Sequence, residues 1–270
     1  MSKLIMLGTG AGFNKYFYNT CFVINHNDKN FLIDAGGSQE ISYRLLEKNI
    51  ELTEIHDIFI SHSHTDHILG LIWLFKAFSA FGVFRKIQKL NIYCNQSVCD
   101  AIKGICKYTL PQRHIEKLQK CLNFIIIKPG DKLNIIGLDF SFFDSFDEGN
   151  NLTCFETIID GKSLVFLGDA TCNNKNYDIL KKKDYVMHEA FCLDKDADIY
   201  KPYEKHHSTV KSICESLKDF NIKNLILYHT VDDYKDSRKK EYLEEVKMSD
   251  YKGNVIVPED MEEIQLKPKY

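Results

Sequence analysis

The chain has 270 residues, 44% of them hydrophobic, with a formal net charge of −3. This length admits one large unit or two small ones with a sizeable buried core. The charge balance excludes an overall basic field pulling the protein toward nucleic acid or an anionic membrane.

The opening MSKLIMLGTG carries only a short apolar run, too short for a secretory signal, and no stretch approaches the ~20 apolar residues of a membrane span. Nine cysteines, none in a CxxC pair, fit reduced core thiols better than disulfides. The expectation is a cytoplasmic protein with no membrane partner. No Pro/Ser-rich linker or repeat divides the chain, so residues 1–270 are expected to form one unit.

Residues 3–7 are strand-like and end at Gly8-Thr9-Gly10. Two apolar runs, 21–25 and 30–34, flank a polar turn and predict a hairpin. Residues 38–48 show helical spacing at Ile41, Leu45 and Leu46, with Ser38 as N-cap. A short buried strand at 58–61 precedes a strongly apolar helix at 68–81. That helix is a candidate surface for a homodimer, and Phe75, Phe78 and Phe81 on it read as core. Strands are expected at 90–93, 123–128 and 138–144, and helices at 97–105 and 115–122. Lys103, Lys107, Arg113, Lys117 and Lys120 read as a solvated face.

A second hairpin, 153–159 with 163–167, turns at Asp160-Gly161. A strand at 185–187, a helix at 209–220, a strand at 224–228, a helix at 238–246 and two short strands complete the chain. Hairpins open each half, then strands alternate with helices. This predicts an α/β fold of four layers, αββα, with two mixed sheets between outer helices.

Residues 61–67 read SHSHTDH. Imidazole and carboxylate are the usual ligands of first-row metals, and a loop after a strand holds them in fixed directions. Residues two apart in an extended turn face the same way, so His62 and His64 can share one ion. Asp66 and His67, past the bend, can face a second.

This motif, with the strand end at Asp34, Gly168-Asp169 and Tyr228-His229, resembles the metallo-β-lactamase superfamily along essentially the whole chain. The resemblance implies that His62 and His64 serve one ion, that Asp66, His67 and His229 serve the other, and that Asp169 bridges them. It implies two divalent ions, zinc first, with manganese or iron as alternatives. The family's third histidine for the first ion is missing, since DSFDEGNNLT stands in its place. Asp147 is the best-placed substitute, with Asp144 and Glu148 in reach, and a carboxylate there would tilt the site toward manganese or iron.

His188-Glu189-Ala190 and His207-Ser208-Thr209, together with GTGAG and LILYH, resemble the ribonuclease Z branch. There the glutamate and histidine handle the leaving group's proton, which assigns catalytic roles to Glu189, His207 and the water-orienting Asp66. That branch also carries a tRNA-gripping arm before the bridging aspartate. Here only 21 residues lie between Asp147 and Asp169. The expectation is a metal-dependent phosphodiesterase that attacks a small phosphodiester or cyclic nucleotide with metal-activated water. A tRNA 3′ endonuclease with RNA as partner, a lactonase or thioester hydrolase, a di-iron oxygen-binding protein and a binding module with a degenerate site are the alternatives. Phe13, Tyr16, Phe17 and Tyr18, after GTG, could border the cleft or pack on the core.

Overall fold

The computed structural model describes residues 2–146 and 151–266. Its first half runs β1 (Lys3–Gly8), β2 (Cys21–His26), β3 (Lys29–Ile33), α1 (Glu40–Glu47), β4 (Ile55–Phe59), α2 (Thr65–Ala80), β5 (Leu90–Cys94), α3 (Gln96–Thr109), α4 (Gln112–Leu118) and β6 (Leu122–Ile126). The second half runs β7 (Lys132–Ile135), β8 (Leu138–Asp144), β9 (Thr153–Ile159), β10 (Lys162–Phe166), α5 (Tyr177–Leu180), β11 (Tyr185–Glu189), α6 (Ala197–Tyr200), α7 (Val210–Leu217), β12 (Asn224–Tyr228), α8 (Arg238–Lys247), β13 (Asn254–Ile256) and β14 (Glu263–Gln265).

Two seven-stranded sheets result, ordered β14-β1-β2-β3-β4-β5-β6 and β13-β12-β11-β10-β9-β8-β7. Each is antiparallel where hairpins join the strands and parallel where helices do, from β3 to β6 and from β10 to β13. Period-2 alternation sorts the side chains. Along β1, Leu4 and Met6 face the other sheet, while Ile5 and Leu7 face the helices. The inter-sheet layer is rich in phenylalanine, with Phe59 edge-on to Phe155 at 5.6 Å between ring centroids. One outer layer is α1 to α4; the other includes α7 and α8. This is the four-layered αββα sandwich.

Several boundaries differ from the sequence reading. α1 starts two residues late, with Gln39 at the N-cap; Ser38 Oγ instead accepts the Glu40 N–H at 3.2 Å. The apolar helix begins at Thr65, inside the histidine motif, so Asp66 and His67 occupy its first turn. Phe75 and Phe78 are core, but Phe81 caps the helix in solvent. The helix expected at 115–122 ends at Leu118, and Leu122 already belongs to β6. Strand β7 and the short helices α5 and α6 carried too little periodicity to be seen. Phe17 and Tyr18 are buried, whereas Phe13 and Tyr16 are exposed. Lys103, Lys107, Arg113 and Lys120 are exposed as expected. Among the described residues no helix is long and apolar enough to cross a membrane.

Candidate metal centre

In an open sheet, the loops after the carboxyl ends of parallel strands converge on one edge, where sites are built. β3 delivers Asp34, β4 delivers Ser61 and His62, β10 delivers Asp169, β11 ends in Glu189 and β12 delivers His229. Helix α2 adds Asp66 and His67. It docks against the loop after β3, with the Gly70 N–H on the Gly36 carbonyl at 2.8 Å and the Ala35 N–H on the His67 carbonyl at 3.0 Å. A Cβ on Gly70 would collide with the Ala35 carbonyl, so only glycine lets α2 come this close.

Backbone strain marks the site. Asp34 and His229 are non-glycine residues in the left-handed region, at φ 54° and 57°, a conformation that persists only where its surroundings enforce it. Gly168, at φ 61°, turns the chain into Asp169, and a side chain there would meet Leu152. Tyr228 Oη donates to the Gly168 carbonyl at 2.7 Å, joining the Asp169 and His229 loops. Arg238, buried in α8, donates to Thr9 Oγ1 at 2.8 Å and to Thr230 Oγ1 at 3.0 Å. It thereby clamps the residue next to His229 against the GTG loop.

The ligand-type atoms of Asp66, His67, Asp169 and His229 lie within 4.8 Å of one another. Asp169 Oδ2 is 2.8 Å from His67 Nε2, 2.9 Å from His229 Nε2 and 3.7 Å from His62 Nε2. Asp66 Oδ2 is 3.3 Å from both His67 Nε2 and His229 Nε2. The His64 ring, at the exposed rim, packs edge-on to His62 with 4.5 Å between centroids. Asp169 thus stands between the two halves of the motif.

The donor set fits cations. His62 Nε2 and Asp169 Oδ1 are buried without a hydrogen-bond partner, a costly state unless a ligand supplies one. Burial holds His62 well below the usual imidazole range, leaving it neutral. Burial opposes charge on His67 and His229, yet Asp169 and Asp66 raise both, His229 to about 9. Buried carboxylates this close draw positive charge into the pocket. Behind the cluster, Asp34 Oδ2 lies 2.9 Å from His67 Nδ1, and its carboxylate also accepts the Ser61 N–H and hydroxyl. Such a partner fixes ring orientation and would aim Nε2 at a bound ion.

Of the substitutes for the missing histidine, Asp147 and Glu148 lie outside the described residues. Asp144 ends β8, and its Oδ1 accepts the Phe146 N–H at 2.8 Å.

Glu189 Oε2 lies 3.7 Å from His207 Nδ1, in ion-pair range but not hydrogen-bonded. Glu189 Oε1 accepts the Ser208 N–H at 2.6 Å. His207 sits 5.3 Å from His229 between ring centroids. Burial pushes Glu189 up to about 8 and His207 down to about 4. Sequence reasoning missed Phe191, whose ring stacks on His207 at 4.5 Å and 7°.

The family described as anti-Pycsar protein Apyc1 matches residues 2–249. The chain belongs to this family. A ribonuclease Z from Nanoarchaeum equitans (strain Kin4-M) is 25% identical over 302 aligned residues, covering 98% of this chain and 93% of that one. The metallo-beta-lactamase fold protein YhfI from Bacillus subtilis superposes with a TM-score of 0.75 at 16% identity, covering 97% of this chain and 98% of that one. Human tRNase Z, short form, gives 0.74 at 20% identity, covering 98% and 99%. This Apyc1-family chain is a ribonuclease Z-like protein of metallo-β-lactamase fold and a metal-dependent hydrolase.

Proposed function

We propose that the protein is a phosphodiesterase that hydrolyses a small phosphodiester, such as a cyclic nucleotide. The observation that carries this reading is the Glu189–His207 pair beside His229. Ester or thioester hydrolysis gives such a pair no clear purpose, whereas an alkoxide leaving from phosphorus needs a proton.

Two divalent ions, zinc in the first instance, would make water a nucleophile near neutral pH and neutralise charge on the phosphoryl oxygens. His62 and His64 would hold one, Asp66, His67 and His229 the other, and Asp169 would bridge. Asp66 orients the attacking water. Asp34 fixes His67. His207, stacked on Phe191 with Glu189 3.7 Å from its Nδ1, would deliver a proton to the departing oxygen.

The hairpin of β9 and β10 fills the stretch in which a tRNA-gripping arm would be expected, which favours a small substrate over tRNA. A tRNA 3′ endonuclease is the second reading, supported by the similarity to ribonuclease Z.

The test is hydrolysis of bis(p-nitrophenyl) phosphate by metal-free protein reloaded in turn with zinc, manganese and iron, with His64→Ala as blank. Turnover above the blank is expected, and its absence with every metal would sink the proposal. His207→Ala should slow diesters with poor alkoxide leaving groups far more than aryl ones; equal losses would remove His207 from the proton-donor role.

A further inference from the structure

Residues 76–128 hold ten lysines and arginines against two acids, a charge of +8 in a chain whose net charge is −3. The segment includes the end of α2, all of α3 and α4, and strands β5 and β6. Among the described residues none of the ten makes an ion pair. Both acids are taken by glutamines instead, Asp100 by Gln96 Nε2 at 2.8 Å and Glu116 by Gln112 Nε2 at 3.2 Å. The other outer layer differs. There Lys211 meets Asp194 at 3.1 Å and Lys195 meets Glu241 at 3.2 Å.

A cleft of about 450 Å³ opens in the basic layer, between α3, α4 and the sheet-edge strand β6. Its size is that of a small-molecule site. Phe75, Ile102, Leu110, Leu118 and Phe124 give it an apolar wall, and no carboxylate lines it. Lys103 and Lys107, both exposed, stand at the cleft one turn of α3 apart. Like charges at this spacing weaken a helix. Both side chains rest on aromatic rings, Lys103 Nζ 5.1 Å over Phe124 and Lys107 Nζ 5.4 Å over Tyr108. The cleft thus joins an apolar wall to two cations that the chain leaves uncompensated.

We infer that the cleft binds an amphiphilic monoanion, a fatty carboxylate whose alkyl chain lies on the apolar wall and whose head group meets Lys103 and Lys107. Charge complementarity selects this occupant. A neutral lipid would leave the lysines unpaired, and a small anion would leave the wall wet. A second copy seated face to face would bring its own excess of positive charge against this one. No lining residue of the cleft belongs to the metal cluster, so the inference stands apart from the phosphodiesterase reading.

The experiment is calorimetric titration of the metal-loaded protein with dodecanoate, kept below its micelle concentration, and with acetate. Lys103→Gln/Lys107→Gln removes both charges at exposed helix positions and spares the fold. Cys106, half-buried in the cleft, reports where the ligand sits: its alkylation by iodoacetamide is followed by mass spectrometry, with Cys172, the other partly exposed thiol, as internal control. One dodecanoate should bind per chain, acetate should not bind, and the double variant should bind dodecanoate roughly tenfold more weakly. Dodecanoate should shield Cys106 and leave Cys172 reactive. No binding of dodecanoate, binding that the double variant leaves unchanged, or binding that leaves Cys106 open overturns the inference. So does a Cys106 that is closed without dodecanoate and opens on dilution, which would give the cleft to a second copy of the chain.

Discussion

The two sides of the metal cluster are held very differently. On the Asp66–His67–Asp169–His229 side, three of the four residues are buried and each sits on a separate piece of scaffold. Asp34 backs His67, Tyr228 ties the loops of Asp169 and His229 together, and Arg238 clamps Thr230. On the other side, His62 is buried but His64 projects from the rim with the His62 ring as its neighbour. Preorganisation here comes from the groups behind the ligands. Ligand type alone does not distinguish the two sides.

The largest effect should come from Asp34→Asn. The amide keeps an oxygen for Ser61 but cannot accept from His67 Nδ1, so the His67 ring loses its anchor. Metal affinity on the His67 side should fall roughly 10–100-fold, with the His62 side much less affected. Stepwise metal titration against a chromogenic chelator resolves the two. Equal weakening of both sites would break the contrast. Gly70→Ala comes next. Its methyl group would push α2 off the loop after β3, costing about 1–3 kcal/mol. For a chain of this size that lowers the thermal midpoint by several degrees, readable by calorimetry; an unchanged midpoint would mean that α2 can shift without loss.

How much of this was legible in the sequence follows from the same contrast. His62, His64, Asp66 and His67 announce themselves by their spacing after an apolar strand, Asp169 and His229 only through the family resemblance, and the structure gathers them at one edge. The hairpins and the sandwich follow from period-2 runs and helical spacing. What stayed hidden acts across distance. Arg238 reads as one more charge at a helix start, yet it reaches Thr9, 229 residues away in sequence. Phe191 follows HEA without a pattern of its own, and Gly70 looks like a weak helix residue until Ala35 is brought against it. The start of α2 was misplaced because its first turn is polar, and hydrophobic periodicity cannot see a turn whose side chains face a site.

Phe191→Ala should have a moderate effect. Aromatic pairs contribute about 0.5–1.5 kcal/mol beyond area burial, so an unstacked His207 should lower kcat several-fold on diesters with poor leaving groups. Metal content should not change, since a phenyl ring offers no ligand atom to the Asp66–His67–Asp169–His229 cluster. A drop in bound metal by elemental analysis would instead make Phe191 a support of His229, whose ring centroid lies 6.4 Å away.

The smallest effect expected sharpens the contrast most, because it concerns the loosely held side. Asp147 stands where a third histidine would serve the first ion. If its carboxylate completes that site, Asp147→His exchanges a hard oxygen for imidazole and should shift preference from manganese toward zinc by a few-fold. Asp144→Asn supplies the control, because the side-chain oxygen that accepts the Phe146 N–H is retained, and metal preference should stay put. Competition titrations with both ions measure the ratio directly. A shift in Asp144→Asn but not in Asp147→His would move the substitute ligand to the end of β8. No shift in either would leave the first ion to His62, His64 and Asp169, making it the ion most easily lost on dialysis.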